Sequence, residues 1–423
     1  MIKKTTFWLL ACLLTINSVT AQENLKVMFY NLLNFPNEDA IPNRINDLGV
    51  ILSDYQPDLF MVCELNNESG ADDILAVLQA NVSADFEMAT FQFNTSDDSG
   101  SDQNDLQNLI FYNSSKFILQ SQAIVTTIFR DFNHYKLRLN TADQATNPIE
   151  FDAIVCHLKA SSGLENEALR FQMVEDLVDY LDTFPADSKV IIGGDFNFYT
   201  SSEDGFQELT DFNNNIVFYD PVNRIGSWSN NSSYLDVFTQ STRTQSGLGG
   251  ATGGFDDRFD FILTTNNLLA ADPELSYVAN TYKAYGNNNN PSCYNREINS
   301  SDCSGSDYSF AIRDALYNFS DHLPVTLELQ TNASLSTDEF IANNGIEFVG
   351  GNVIDNYLRL KINPLLSLDS PITVYNALGQ VVESINANGS NYIEQDISQL
   401  ANGVYYLTIS SNNINVLKFI KSN

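Results

Sequence analysis

Apolar positions along this chain change their period repeatedly. Residues 25–29 read as a strand that ends at Tyr30-Asn31. Over 43–54, Ile45, Leu48, Ile51 and Leu52 fall on one side of a helix. Pro57-Asp58 stops that helix, and 59–64 is a second strand. Helical spacing returns over 72–79. The runs 109–112, 123–129 and 135–139 read as antiparallel strands, with a turn at Asn113-Ser114. A strand over 151–158 precedes a helix over 165–182, whose Met173, Val174, Leu177 and Leu181 keep a 3.6-residue period. Strands at 189–192, 259–263 and 325–329 complete this part. Alternating strands and helices predict an α/β fold.

The pattern changes near residues 331–345, a polar stretch without periodicity that reads as a linker. Beyond it, over 346–423, short strand runs are separated by Gly, Asn and Pro, as in a small β-sandwich. At the other end, Lys3 and Lys4 precede an apolar run over 7–16, and Val19-Thr20-Ala21 offers small residues for a cut before Gln22. Residues 1–21 therefore read as a signal peptide, in preference to a membrane anchor or a lipid attached at Cys12. The expected organisation is a signal peptide (1–21), a large α/β domain (22–330), a linker (331–345) and a C-terminal β domain (346–423). The expected location is secreted or at the cell surface, with no transmembrane segment and with export machinery as a partner.

Charge narrows the partners. The formal net charge is −32, and removing the signal takes away two lysines and no acid, leaving −34. Such a chain has no global field that gathers a polyanion. A nucleic-acid substrate would need a local basic rim or bound cations. Of the cysteines, Cys293 and Cys303 bracket a polar segment and are expected to form a disulfide in an exported protein. Cys63 and Cys156 lie in apolar strands and are expected as buried thiols. Cys156 is no partner for His157, because neighbours on a strand face opposite ways.

Several strands end in chemistry-bearing residues: Asn31, Glu64, His157, Asp195 within Gly193-Gly194-Asp195-Phe196-Asn197, and Asp260. Asp321-His322 precedes the last strand. Glu64 and Asp321 offer hard oxygen ligands of the kind Mg²⁺ takes. Asp195 can activate or orient a water. Asn31, Asn197, His157 and His322 are donors for charge developing on phosphoryl oxygens. Asp260 can pair with His322 and keep it cationic. Each fragment alone also fits a turn or a solvated loop. The remaining histidine, His134, is read as a surface residue, and Arg170 on the long helix as structural.

Taken together, FYNLLNF around Asn31, CEL around Glu64, CHLK around His157, GGDFN around Asp195, RFDFIL around Asp260 and SDHLPV around Asp321-His322 resemble the endonuclease/exonuclease/phosphatase family, which includes deoxyribonuclease I-like nucleases. The resemblance covers roughly residues 24–330. It implies a four-layer α/β sandwich, with two mixed sheets face to face and helices outside. It implies metal binding by Glu64, with Asp321 and Asn31 nearby, and Mg²⁺ or Mn²⁺ as cofactor. Asp195 and Asn197 would position water and phosphate. His157, and His322 with Asp260, would stabilise the phosphoryl group or protonate the leaving group. Arg130 sits where deoxyribonuclease-like members carry a phosphate-contacting arginine, and a surface arginine is the equal alternative.

The C-terminal stretches ITVYNALGQVV, LANGVYYLTI and VLKFIK resemble the sorting domain of the type IX secretion system. The Pro-Asn-Pro opening common in such domains is absent.

Two insertions bear on the substrate. Residues 94–105 could hold Ca²⁺, although a solvated loop is the preferred account. Residues 281–312 are long and polar, which argues against a membrane-inserting hairpin. The expected activity is an extracellular endonuclease. The alternatives are a sphingomyelinase-like or small-molecule phosphoesterase, or a non-catalytic binding protein on the same fold.

Overall fold

Two β-sheets stacked face to face dominate the computed structural model, which describes residues 22–96, 106–336, 346–349, 353–362, 371–386, 392–409 and 417–422. The expected signal segment, most of the 94–105 insertion and most of the expected linker lie outside these residues.

The first sheet contains β1 (Glu23–Phe35), β2 (Leu59–Leu65), β3 (Phe86–Met88) and β4 (Gln107–Asn113). The second contains β5 (Phe117–Val125), β6 (Phe132–Leu139), β7 (Glu150–His157), β8 (Val190–Asp195), β9 (Phe218–Tyr219) and β10 (Asp260–Thr265). The chain then returns to the first sheet with β11 (Ser276–Tyr277), β12 (Lys283–Ala284) and β13 (Val325–Thr331). The orders are β11-β13-β1-β2-β4-β3, with β12 also on β13, and β5-β6-β7-β8-β10-β9.

Each sheet has one parallel pair at its centre, β1 with β2 and β7 with β8, and is antiparallel elsewhere. A parallel pair needs a crossover. The crossovers are α1 (Arg44–Tyr55) and α3 (Leu164–Leu181). Helices α1, α2 (Glu68–Asn81) and α6 (Phe310–Phe319) cover the first sheet. On the second sheet lie α3 and α4 (Asp204–Leu209), while α5 (Asn266–Leu269) follows β10. This is the four-layer α/β sandwich.

The glycine pair before Asp195 has a packing reason on each face. A Cβ on Gly193 would lie 2.4 Å from Met61 Cε of the opposite sheet. On Gly194 it would lie 2.1 Å from Cys156 Sγ. Side chains at either position would push apart the strands around Asp195. Cys156 is buried on the outer face of its sheet, and Cys63 is buried in the main core.

The C-terminal strands β14 (Ile346–Phe348), β16 (Tyr357–Ile362) and β19 (Tyr392–Asp396) form one small sheet. A second contains β15 (Val353–Ile354), β17 (Ile372–Asn376), β18 (Val381–Ile385), β20 (Gly403–Ile409) and β21 (Leu417–Lys421). They share a core of residues such as Leu358, Leu360, Val374, Leu407 and Phe419. No helix among the described residues is long and apolar enough to cross a membrane.

Three expectations change. The strand expected over 123–129 ends at Val125, so Ile128 and Phe129 stand in a loop. Helix α6 has no counterpart in the expected pattern, because it lies inside and beyond the polar insertion. His134 is not on the surface: it is 7% exposed. Its Nε2 meets Asp152 Oδ1 and its Nδ1 meets Tyr180 Oη, both at 2.8 Å. Its partners come from a neighbouring strand and from α3, far from it in sequence, and Tyr180 ties α3 to the second sheet. Arg170 is structural, held against Glu203 at 2.7 Å. Cys293 and Cys303 form a disulfide.

Candidate active site

All the chemistry-bearing strand ends meet on one rim, and the sheet registers explain why. His157 pairs with Asp195 across the parallel β7–β8 contact. Asp195 pairs with Asp260 across β8–β10. In the other sheet Asn31 pairs with Cys63, so Glu64 lies one residue further on. Ser320 Oγ donates to Asn31 O at 2.8 Å, which brings Asp321 and His322 to the same rim.

Asn31 Nδ2 donates to Glu64 Oε1 and to Asp195 Oδ2, both at 3.0 Å. Its Oδ1 accepts from Leu33 N at 3.0 Å. Asn31 therefore bridges two carboxylates across the sheets, with its amide oxygen held by Leu33 N. Glu64 Oε2 accepts from Asn34 N at 3.1 Å. Glu64, Asn34 and Asn197 all have positive φ, of 57°, 51° and 53°. Such backbones are uncommon outside glycine and mark sites that a fold holds for a purpose.

Asp195 Oδ2 lies between two histidines, 3.6 Å from His157 Nε2 and 3.8 Å from His322 Nε2. The two rings differ in charge. Burial, with the charges of Arg130, His322 and Lys159, holds His157 well below its ordinary pKa, so it is neutral. Burial also opposes charge on His322, but Asp260, Asp321 and Asp195 outweigh it and hold its pKa well above the usual value. Asp260 Oδ2 is 2.7 Å from His322 Nδ1. Burial, then Asp321, raises the Glu64 carboxyl. Burial raises Asp195 to about 8 against the opposing charge of His322, with Asp260 and Glu64 adding to the rise.

Asn197 N donates to Asp195 Oδ1 at 3.2 Å, and its Nδ2 to Leu158 O at 3.3 Å. Arg130 Nη1 donates to the same Leu158 O at 2.9 Å, so Arg130 is buried beside the site and is not a surface arginine.

Sequence reasoning missed two parts of the rim. Gln240 Nε2 lies 2.6 Å from His322 Nε2 and 3.1 Å from Asp321 Oδ2. A neutral ring accepts from this amide. A flip would offer its oxygen to an imidazolium, so the side chain can serve either state. The glycine-rich loop 247–254 also touches the site. Ala251 N donates to Asp321 Oδ2 at 2.7 Å, and a Cβ on Gly250 would lie 2.4 Å from the Asp321 carboxylate. The run of glycines was the available signal for this close approach. Gln240→Leu is expected to lower kcat about tenfold, since a hydrogen bond to a charged group is worth about 1.5 kcal/mol. Wild-type turnover of bis-p-nitrophenyl phosphate by this variant would refute that role.

The donors suit a hard cation. Oxygen and nitrogen atoms of Glu64, His157 and Asp195 converge within 4.8 Å, as do those of Asp195, Asp260 and His322. Asp321 Oδ1 and Asp260 Oδ1 are buried without a hydrogen-bond partner. A pocket of clustered carboxylates with spare lone pairs is stable when a cation shares it.

A family model described as "Endonuclease/Exonuclease/phosphatase family" matches residues 28–322, and one for a "Secretion system C-terminal sorting domain" matches 354–422. No curated protein matches the chain. Among solved structures, the chain is similar to a protein of the first family from Bacteroides vulgatus, at 14% identity and a TM-score of 0.46, covering 74% of this chain and 100% of that one. A Bacteroides thetaiotaomicron protein gives 14% and 0.45, covering 74% and 99%. The human Nocturnin catalytic domain gives 16% and 0.44, covering 72% and 93%.

Proposed function

Because the chain belongs to the endonuclease/exonuclease/phosphatase family, a family of phosphoester hydrolases, we propose that it cleaves phosphodiesters of nucleic acid as an endonuclease outside the cell. Its sorting tail implies export or display at the cell surface. The observation that carries the diester reading is the placement of Asp195 between a neutral and a cationic histidine. A diester with an alkoxide leaving group needs both a proton acceptor for water and a proton donor for the departing oxygen.

In this reading Asp195, oriented by Asn31 and Asn197 and ionised once a cation shares the pocket, takes a proton from the attacking water. As the new P–O bond forms, His322, held by Asp260, gives a proton to the alkoxide of the bond that breaks. Neutral His157 and Asn197 donate to the phosphoryl oxygens. Glu64 and Asp321 would hold a divalent cation, with Mg²⁺ or Mn²⁺ suited to these oxygens and Ca²⁺ also compatible. The cation would supply charge neutralisation at phosphate. The polar insertion supports a water-soluble substrate over a lipid surface. It is tied to itself by Asn288, whose Nδ2 donates to Cys303 O and to Tyr308 O, both at 3.0 Å.

The test is a substrate panel: plasmid DNA, RNA, sphingomyelin and bis-p-nitrophenyl phosphate, with Mg²⁺, Mn²⁺, Ca²⁺ or EDTA. Cleavage of nucleic acid that stops on chelation is expected. Activity surviving thorough chelation would sink the metal requirement. Cleavage of sphingomyelin or small esters without DNA or RNA would remove the nuclease reading.

A further inference from the structure

We propose that Lys159, Phe129 and Ile128 form a subsite for the nucleotide next to the scissile phosphate, with Lys159 meeting the neighbouring phosphate and the two apolar side chains meeting its base. This rests on the nucleic-acid reading above and deepens it.

The place is set by the chain. Strand β7 delivers His157 to the rim, and Lys159 follows two residues later. Strand β5 stops at Val125, and the loop after it carries Ile128 and Phe129. The loop is continuous with the catalytic residues, because Arg130 and Asn197 donate to the same Leu158 carbonyl. The charges of Arg130 and Lys159 both reach His157.

The chemistry of the cluster is mixed in a specific way. Lys159 Nζ lies 5.2 Å from the centre of the Phe129 ring, and Arg130 Cζ lies 4.8 Å from it. Ile128 beside it is 46% exposed, and Phe129 is half-buried. An aromatic face with adjacent cations is what binds single-stranded nucleic acid: bases stack on the ring, and phosphates meet the cations. A small phosphomonoester has neither a base nor a second phosphate to use them.

The cluster is also preorganised. Arg170, buried against Glu203, donates from Nη1 to Lys159 O at 2.9 Å and to Ser161 O at 2.8 Å. Thr127 Oγ1 donates to Arg130 O at 2.7 Å and accepts from Phe129 N at 3.1 Å. Thr127 N donates to Ser96 Oγ at 2.8 Å. Both arms of the subsite are thus fixed by buried polar contacts, which lowers the ordering cost of binding. In a chain of net charge −32, this is a local basic rim of the sort a polyanion requires.

The experiment compares kcat/KM for a single-stranded oligonucleotide with kcat/KM for bis-p-nitrophenyl phosphate in the full chain with Mg²⁺. The ratio cancels any loss of folded protein. Lys159→Gln and Phe129→Leu are each expected to lower the ratio about tenfold. Lys159→Gln should also make the salt dependence of oligonucleotide KM shallower by about 0.7 in log–log slope, the share of one phosphate contact on a single strand. Lys116→Gln, the same charge change at the opposite end of the sheets, is the control. An unchanged ratio in both variants, with an unchanged slope, overturns the subsite while leaving nuclease activity standing. Failure of the wild type to cleave any polynucleotide overturns the nucleic-acid reading, and the subsite with it.

Discussion

Asp195→Asn is expected to lower kcat by about 10²- to 10⁴-fold, the range lost with a general base, and to make the metal-free protein more stable near neutral pH. The two effects share one cause. Asp195 is buried beside Asp260 and Glu64, and burial with these neighbours pushes its carboxyl up to about 8 despite the cation at His322. In the unfolded chain an aspartate titrates near ~3.9. Between these values the native state holds a proton that the unfolded state has released. Stability therefore falls as pH rises through this window. Asparagine does not titrate and keeps the shape, so the variant loses this part of the slope. Melting curves in EDTA from about pH 4 to about pH 8, with kcat measured on the Mg²⁺-loaded protein, read both effects. A variant whose melting temperature falls as steeply as that of the wild type contradicts the buried-carboxylate account. A variant with undiminished kcat removes Asp195 from the chemistry.

The largest loss of stability is expected from Asp220→Asn, at about 3–5 kcal/mol. Arg258 Nη1 and Nη2 each donate to an Asp220 oxygen at 2.9 Å, and Nη2 also donates to Tyr282 Oη at 3.0 Å. The guanidinium is fully buried and lies 4.1 Å from the Phe261 ring centre. Removing the one carboxylate it hydrogen-bonds among the described residues leaves a charge in a region that cannot solvate it. Because Arg258 precedes Asp260 on the way into β10, the loss should also loosen the strand that orients His322. Urea unfolding followed by tryptophan fluorescence is a suitable measure, since buried Trp228 lies in the same cluster. A change below about 1 kcal/mol would mean that water or another acid replaces Asp220.

Much of this site was legible in the sequence because each part is local. A strand of fixed period delivers its last residue to a sheet end, and chemistry-bearing residues recur at those ends. What was not legible depended on packing between distant segments. Gln240 lies in no periodic run, and only the fold places it on Asp321 and His322. Asn31 could be assigned to the site but not oriented, since Leu33 N decides which end of the amide faces the carboxylates. His134 looked exposed because its sequence neighbours are polar, but its partners, Asp152 and Tyr180, are brought to it by the fold from 18 and 46 residues away. The run 123–129 is apolar enough for a strand, but Thr127 turns the chain by bonding Arg130 O and Phe129 N. The C-terminal module was legible from its short strand runs and its closing residues.

The hydrogen bond from Ser320 to Asn31 spans 289 residues of chain. It belongs to the pairing of β13 with β1, the last and first strands of the large sandwich. Asp321 and His322 thus reach Glu64 and Asp195 only when nearly the whole region has been made and closed on itself. Contacts so far apart in sequence form late, because the intervening chain must be ordered first. Until that closure the residues of the candidate site are not assembled.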